Sequence, residues 1–144
     1  MRSLLETPIP ADLPPIPADM DRARLDCITS QIIGSAQKVS TKLGRGFLER
    51  VYENALGVEL AKLGLAFQHQ RPIAVKYEGV VVGDYVPDLI VEDEVIVEVK
   101  TVDFLTRAHR LQCVNYLRAT ELRICLLLNF GQRSLEVRRL VMRF

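Results

Sequence analysis

The stretch from Val80 to Thr101, VVVGDYVPDLIVEDEVIVEVKT, constrains this chain more than any other, because it is dense in β-branched residues yet holds Asp88, Glu98 and Lys100. Valine and isoleucine at this density favour pleated strands. Val80 to Val91 and Val95 to Thr101 read as two strands, with Glu92-Asp93-Glu94 between them as a tight hairpin turn. Side chains alternate along a strand, so Glu98 and Lys100 share one face and Val99 points to the other. A turn centred on Asp93 sets Asp88 opposite Glu98 across the hairpin. Two carboxylates and an ammonium then converge in an apolar sheet, where charges are costly unless paired or holding a metal.

The flanking segments supply layers to cover that sheet. Leu25, Ile28, Ile32, Ala36, Val39 and Leu43 recur at helical spacing, predicting a helix from about Asp21 to about Leu43. Gly44-Arg45-Gly46 interrupts it, and Phe47, Val51, Leu56, Leu60 and Leu63 mark a second helix closed by Gly64. Ile73, Val75 and Tyr77 alternate as a strand before a Glu78-Gly79 turn. Thr106 is a candidate N-cap for a helix from Arg107 to about Ala119. The apolar run Ile124 to Phe130 predicts a strand covered on both faces, and Leu135 to Val141 an edge strand. The order is two helices, three strands, a helix and two strands. A meander followed by a crossover helix gives an α/β (α+β) fold with a mixed β-sheet flanked by helices.

Two domain-level expectations follow. Residues 8–18, PIPADLPPIPA, hold five of the seven prolines, so residues 1–20 read as a proline-rich arm and 21–144 as one compact domain. The arm is expected to dock on the body or on a neighbouring subunit, making a homo-oligomer. Cys27, Cys113 and Cys125 form no CxxC pair and suit a reducing compartment, and no segment has the pattern of a signal peptide or membrane span. A cytoplasmic protein with no membrane partner is the expectation. The formal net charge of +1 excludes a strong overall positive field, so any nucleic-acid contact must come from a local patch. Arg107, Arg110, Arg118 and Arg123 are candidates for one, and Arg133, Arg138, Arg139 and Arg143 cluster at the C-terminus.

Asp88, Glu98 and the Val99 carbonyl offer hard oxygens of the kind Mg²⁺ takes, with Mn²⁺ as a substitute. Such an ion activates water and neutralises charge developing on a phosphoryl group, while Lys100 orients the nucleophile or stabilises that charge. A sheet-edge ion pair of Lys100 with either carboxylate would use the same residues without chemistry. His69 and His109 lack partners at metal-ligand spacing; His109, one turn before Gln112, stays an outside candidate.

The motifs LGRGFLERVYENAL, VPDLIV, VIVEVKT and LLLNFG, spread over about Ile32 to Val141, resemble the bacterial GxxExxY proteins, a PD-(D/E)XK-like family. Gly46, Glu49 and Tyr52 match the motif of that name. The resemblance implies a restriction-endonuclease-like core, a mixed four-stranded sheet flanked by helices, with Asp88, Glu98 and Lys100 in catalytic positions. It implies that Glu49 adds a metal-site carboxylate, and that Gln112 and Tyr116 fit a Gln-x3-Tyr pattern. Tyr52 is expected to pack between helix and sheet. The activity expected is Mg²⁺-dependent hydrolysis of phosphodiester bonds in DNA, or RNA. The alternative is a catalytically silent nuclease fold that acts in self-assembly or partner binding through its N-terminal arm.

Overall fold

The computed structural model describes residues 18–142. The proline-rich segment and its expected docking on a neighbour lie outside the described residues, apart from Ala18 to Met20, which are helical. Helix α1 spans Ala18–Leu43 and α2 spans Glu49–Lys62; strands β1 to β5 follow at Phe67–His69, Ile73–Tyr77, Val80–Tyr85, Leu89–Val91 and Val95–Lys100. Then come α3 at Arg107–Thr120, β6 at Ile124–Asn129 and β7 at Glu136–Val141. Five strands form one sheet in the order β1-β4-β5-β6-β7, and β2 and β3 form a separate two-stranded ribbon.

Only the β5–β6 pairing is parallel, joined through α3, and the other neighbours run antiparallel. The sheet is therefore mixed, as expected, with β7 at its edge. Alternation along β5 divides the core into two layers. Val95, Val97 and Val99 pack with Leu25, Ile32, Tyr52, Leu56 and Leu60 of α1 and α2. Ile96 packs with Cys113, Tyr116 and Leu117 of α3, Cys125 and Leu127 of β6, and Ile73 of the ribbon. Glu98 and Lys100 share the parity of Ile96 and so belong to the α3 layer. Every residue of β6 is buried, which explains why that strand reads as a continuous apolar run.

Four expectations need correction. Val80 to Val91 is not one strand: β3 belongs to the ribbon and β4 to the main sheet, with Val86-Pro87-Asp88 between them. Pro87 has no N–H to continue a ladder, so pairing stops there. Strand β1 was not expected, because three residues, Phe-Gln-His, are too few to display a period; it makes the sheet five-stranded rather than four-stranded. On α2 the buried stripe is Tyr52, Leu56 and Leu60 flanked by Glu53 and Glu59, whereas Phe47, Val51 and Leu63 are exposed. Helix α1 begins at Ala18 rather than Asp21, and its first turns are tied across the molecule by Arg24 to Glu94 at 2.5 Å and by Asp21 to Arg123.

The loop before α2 is held by Tyr52. Its hydroxyl donates to the Gly44 carbonyl at 2.7 Å and accepts from the Phe47 N–H at 3.2 Å. Its ring stacks on Phe130 at 4.6 Å between centroids. Gly44 and Gly46, at φ +68° and +112°, supply the left-handed backbone this tight loop requires. The motif tyrosine thus spans helix and sheet, as expected, and also fixes where α2 begins.

Candidate active site

Strand β5 outruns its antiparallel neighbour. Strand β4 pairs only with Val95 to Val97, so Glu98, Val99 and Lys100 continue alone on that edge. Asp88, one residue before β4, closes the gap with its side chain. Its Oδ2 accepts the Val99 N–H at 2.8 Å, and its own N–H donates to Glu98 Oε1 at 2.9 Å. The register that sets Leu89 opposite Val97 extends to set Asp88 opposite Glu98. Lys100 Nζ lies 3.7 Å from Glu98 Oε2. Asp88, Glu98 and Lys100, adjacent only by inference in the sequence, are brought together here.

Burial makes this cluster electrostatically expensive. Glu98 is pushed up to about 8, first by burial and then by the neighbouring Asp88 carboxylate, against the Asp88 N–H and Lys100, which favour its charged form. Asp88 is also raised, first by burial, opposed by the Val99 N–H bond, with Glu53 adding repulsion. Lys100 at 3.7 Å therefore does not neutralise the pair. Burial is the first cause for both groups, and the neighbouring Asp88 charge adds to it at Glu98, as happens where carboxylates lie close together without enough positive charge.

A hard divalent cation fits that deficit. The donors are oxygens: the two carboxylates and the Val99 carbonyl, which points to the same edge as the Val99 N–H because both groups of a strand residue face one side. The Lys100 carbonyl, one residue on, accepts the Phe130 N–H on the β6 side, as that alternation requires. Among the described residues no group of three or more His, Cys, Asp or Glu side chains forms a metal cage. Carboxylate and carbonyl oxygens are donors of the kind that a hard divalent cation takes together with waters.

The other expected residues are placed unequally. Glu49 opens α2 and is exposed, yet its charge reaches Glu98 and helps to raise it. Gln112 is half-buried on α3; among the described residues no hydrogen bond joins it to Asp88, Glu98 or Lys100. Tyr116, one turn on, is buried, and its hydroxyl is pushed up by burial and by the Glu98 and Asp88 charges, which puts this face of α3 beside the acid pair. His109 is engaged at the start of α3, where its Nδ1 accepts the Thr106 N–H at 3.0 Å in a capping box.

Sequence reasoning missed the side chains that brace Asp88 from α2 and β1. Glu53 is buried, and its Oε1 lies 3.1 Å from both His69 Nδ1 and Gln70 Nε2. The same Gln70 amide donates to Asp88 Oδ1 at 3.2 Å, and the Gln70 N–H to the Asp88 carbonyl at 3.0 Å. Gln70 therefore bridges α2 to the Asp88 carboxylate, from a left-handed backbone at φ +50°. Spacing held one clue: Glu53 is four residues from Glu49 and flanks the Tyr52–Leu56 stripe, on the side that meets the sheet. Nothing local marks His69 or Gln70.

No curated protein and no solved structure matches this chain. The family model of the PD-(D/E)XK nuclease superfamily matches residues 26–140, a span that runs from within α1 to the end region of β7. It contains Pro87-Asp88 and Glu98-Val99-Lys100, where β5 outruns β4 and Asp88 is bonded to the Glu98–Val99 segment. On that match over most of its length, the chain belongs to the PD-(D/E)XK nuclease superfamily.

Proposed function

We propose that this chain is a Mg²⁺-dependent nuclease, close to the GxxExxY proteins, that hydrolyses phosphodiester bonds in nucleic acid, DNA foremost. The observation that carries the reading is the reciprocal pair of hydrogen bonds between Asp88 and the Glu98–Val99 segment, which holds a half-buried and a buried carboxylate on neighbouring positions of the open sheet edge, with Lys100 beside Glu98. Asp88, Glu98 and the Val99 carbonyl would hold the metal, with Glu49 approaching from α2. Mn²⁺ suits the same oxygens. When bound, the ion supplies Lewis-acid activation of water and neutralises phosphate charge.

The protein's own residues do the rest. The Val99 N–H fixes one Asp88 oxygen and the Gln70 amide the other, so the carboxylate is oriented before any ligand arrives. Lys100 is half-buried on the Glu98 face and would orient the attacking water or stabilise negative charge on the phosphoryl oxygens. Gln112, on the α3 face that Tyr116 shares, would steady the substrate at the rim.

The test is cleavage of labelled DNA and RNA with Mg²⁺ or Mn²⁺. Asp88→Ala and Lys100→Ala should each lower the rate by about a hundredfold or more; equal rates in all three proteins would sink the assignment. A second reading, a nuclease fold used for assembly, is favoured by Val80, Val81 and Val82, each more than half exposed along β3. It predicts no cleavage by any of the three and a mass in solution above that of one chain.

A further inference from the structure

Resting on the nuclease reading, we infer that the cleft between the β2–β3 ribbon and α3 is a subsite for single-stranded nucleic acid, with Tyr85 as its stacking platform and Arg118 and Lys76 as its phosphate contacts. The cleft has a volume of about 720 Å³ and is walled by Ile73, Val75, Lys76 and Tyr85 on one side and Asn115 and Arg118 on the other. That volume lies within the range of ordinary ligand sites.

Three independent features point to this occupant. Tyr85 lines the cleft, is 42% exposed, and its ring meets Tyr116 edge-on at 5.7 Å. A tyrosine braced in this way offers an aromatic surface on which a base can stack, and stacking accepts any base. Charge is the second feature. Helix α3 carries Arg107, Arg110 and Arg118 and no acidic residue in a chain of net charge +1, and among the described residues neither Lys76 nor Arg118 has an ion-pair partner. Arg107 and Arg118 are eleven residues apart, or about 16 Å along the helix, so the positive stripe extends beyond the cleft.

Position is the third. Tyr85 precedes Asp88 by three residues, and Tyr116, against which it rests, feels the charge of both Glu98 and Asp88. A strand stacked on Tyr85 would lie next to the acid pair. Glu121, at the C-cap of α3, closes the far end with a negative charge, where a phosphate would be repelled. A duplex presents its bases edge-on within the stack and leaves none free for Tyr85, so the cleft selects a single strand or a frayed end.

The test is fluorescence anisotropy of the full chain in EDTA, which prevents cutting, with labelled oligodeoxyuridine, oligouridine and a blunt duplex. Single strands should bind at least about tenfold tighter than the duplex, and the tighter of the two strands identifies the sugar. Tyr85→Ala and Arg118→Glu should each weaken single-strand binding about tenfold, and Tyr85→Phe should restore it. Lys38→Glu, the same charge change on exposed α1 in the opposite layer, should leave binding within about twofold. Wild-type binding by Arg118→Glu, or an equal loss in Lys38→Glu, overturns the subsite. If strands bind through the cleft but Mg²⁺ yields no cleavage, the nuclease reading fails and the subsite stands; if Tyr85→Ala and Arg118→Glu bind and cut like wild type, the reverse holds.

Discussion

Glu98, pushed up to about 8, gives up its proton near 4.5 in a free chain, and that difference has a consequence for stability. Between those two values the folded, metal-free protein holds a proton that the unfolded chain has released, so stability falls as pH rises across the window. Asp88 is shifted in the same direction and reinforces the trend. Thermal melts in EDTA should therefore show Tm dropping by about 5 °C or more from about pH 5 to about pH 8, and Glu98→Gln should flatten the curve. Mg²⁺ should raise Tm most at the alkaline end, where both carboxylates are charged; a pH-independent Tm would refute the shared-site account. Gln70 makes a separate prediction. Gln70→Ala removes the amide that holds one Asp88 oxygen, and should weaken Mg²⁺ binding about tenfold, measured by calorimetry, with little change in fold. Residues on one strand were the legible ones: Glu98 and Lys100 follow from alternation alone. Glu53, His69 and Gln70 escaped because their meeting is a tertiary event with no sequence period behind it.

The elements divide along the same line. Helices α1 and α3 and the buried strand β6 were readable because each has a long apolar stripe or run of its own. Strand β1 is defined only by pairing with β4, and the break at Val86–Asp88 sits inside a stretch whose composition argues for one strand. On α2 the apolar count misled, since Phe47 and Val51 stay exposed while Glu53 and Glu59 go inside. Tyr52 is the element-level anchor. Tyr52→Phe keeps the ring on Phe130 but loses the bonds to Gly44 and Phe47, which should cost about 1 to 2 kcal/mol in urea unfolding. Gly131 is stricter: a Cβ there would meet the Val102 carbonyl oxygen, backbone that cannot step aside, at 2.4 Å. Gly131→Ala should destabilise the β6–β7 connection by more than the Tyr52→Phe change, by the same measurement.

For the molecule as a whole, near-neutrality limits how nucleic acid can be held. No helix among the described residues is long and apolar enough to cross a membrane, and α3 carries three arginines with no acidic residue among them. If Lys76, Arg107, Arg110 and Arg118 are the phosphate contacts, single-strand affinity should fall with salt at a log–log slope of about −3. A slope several times steeper would require a field that this chain lacks. The mixed sheet with helices on both faces was legible from element order, but the separation of the ribbon was not. That separation turns on Pro87. Continuing the β4–β5 register by two residues puts Pro87 across from Val99, at the rung where a neighbour's N–H would otherwise tie up the Val99 carbonyl. An imino acid cannot make that tie, so the sheet is left unzipped at the carbonyl proposed to hold the metal. Restoring the donor with Pro87→Ala would let the zipper close one rung further, giving a protein at least as stable but a poorer binder of Mg²⁺.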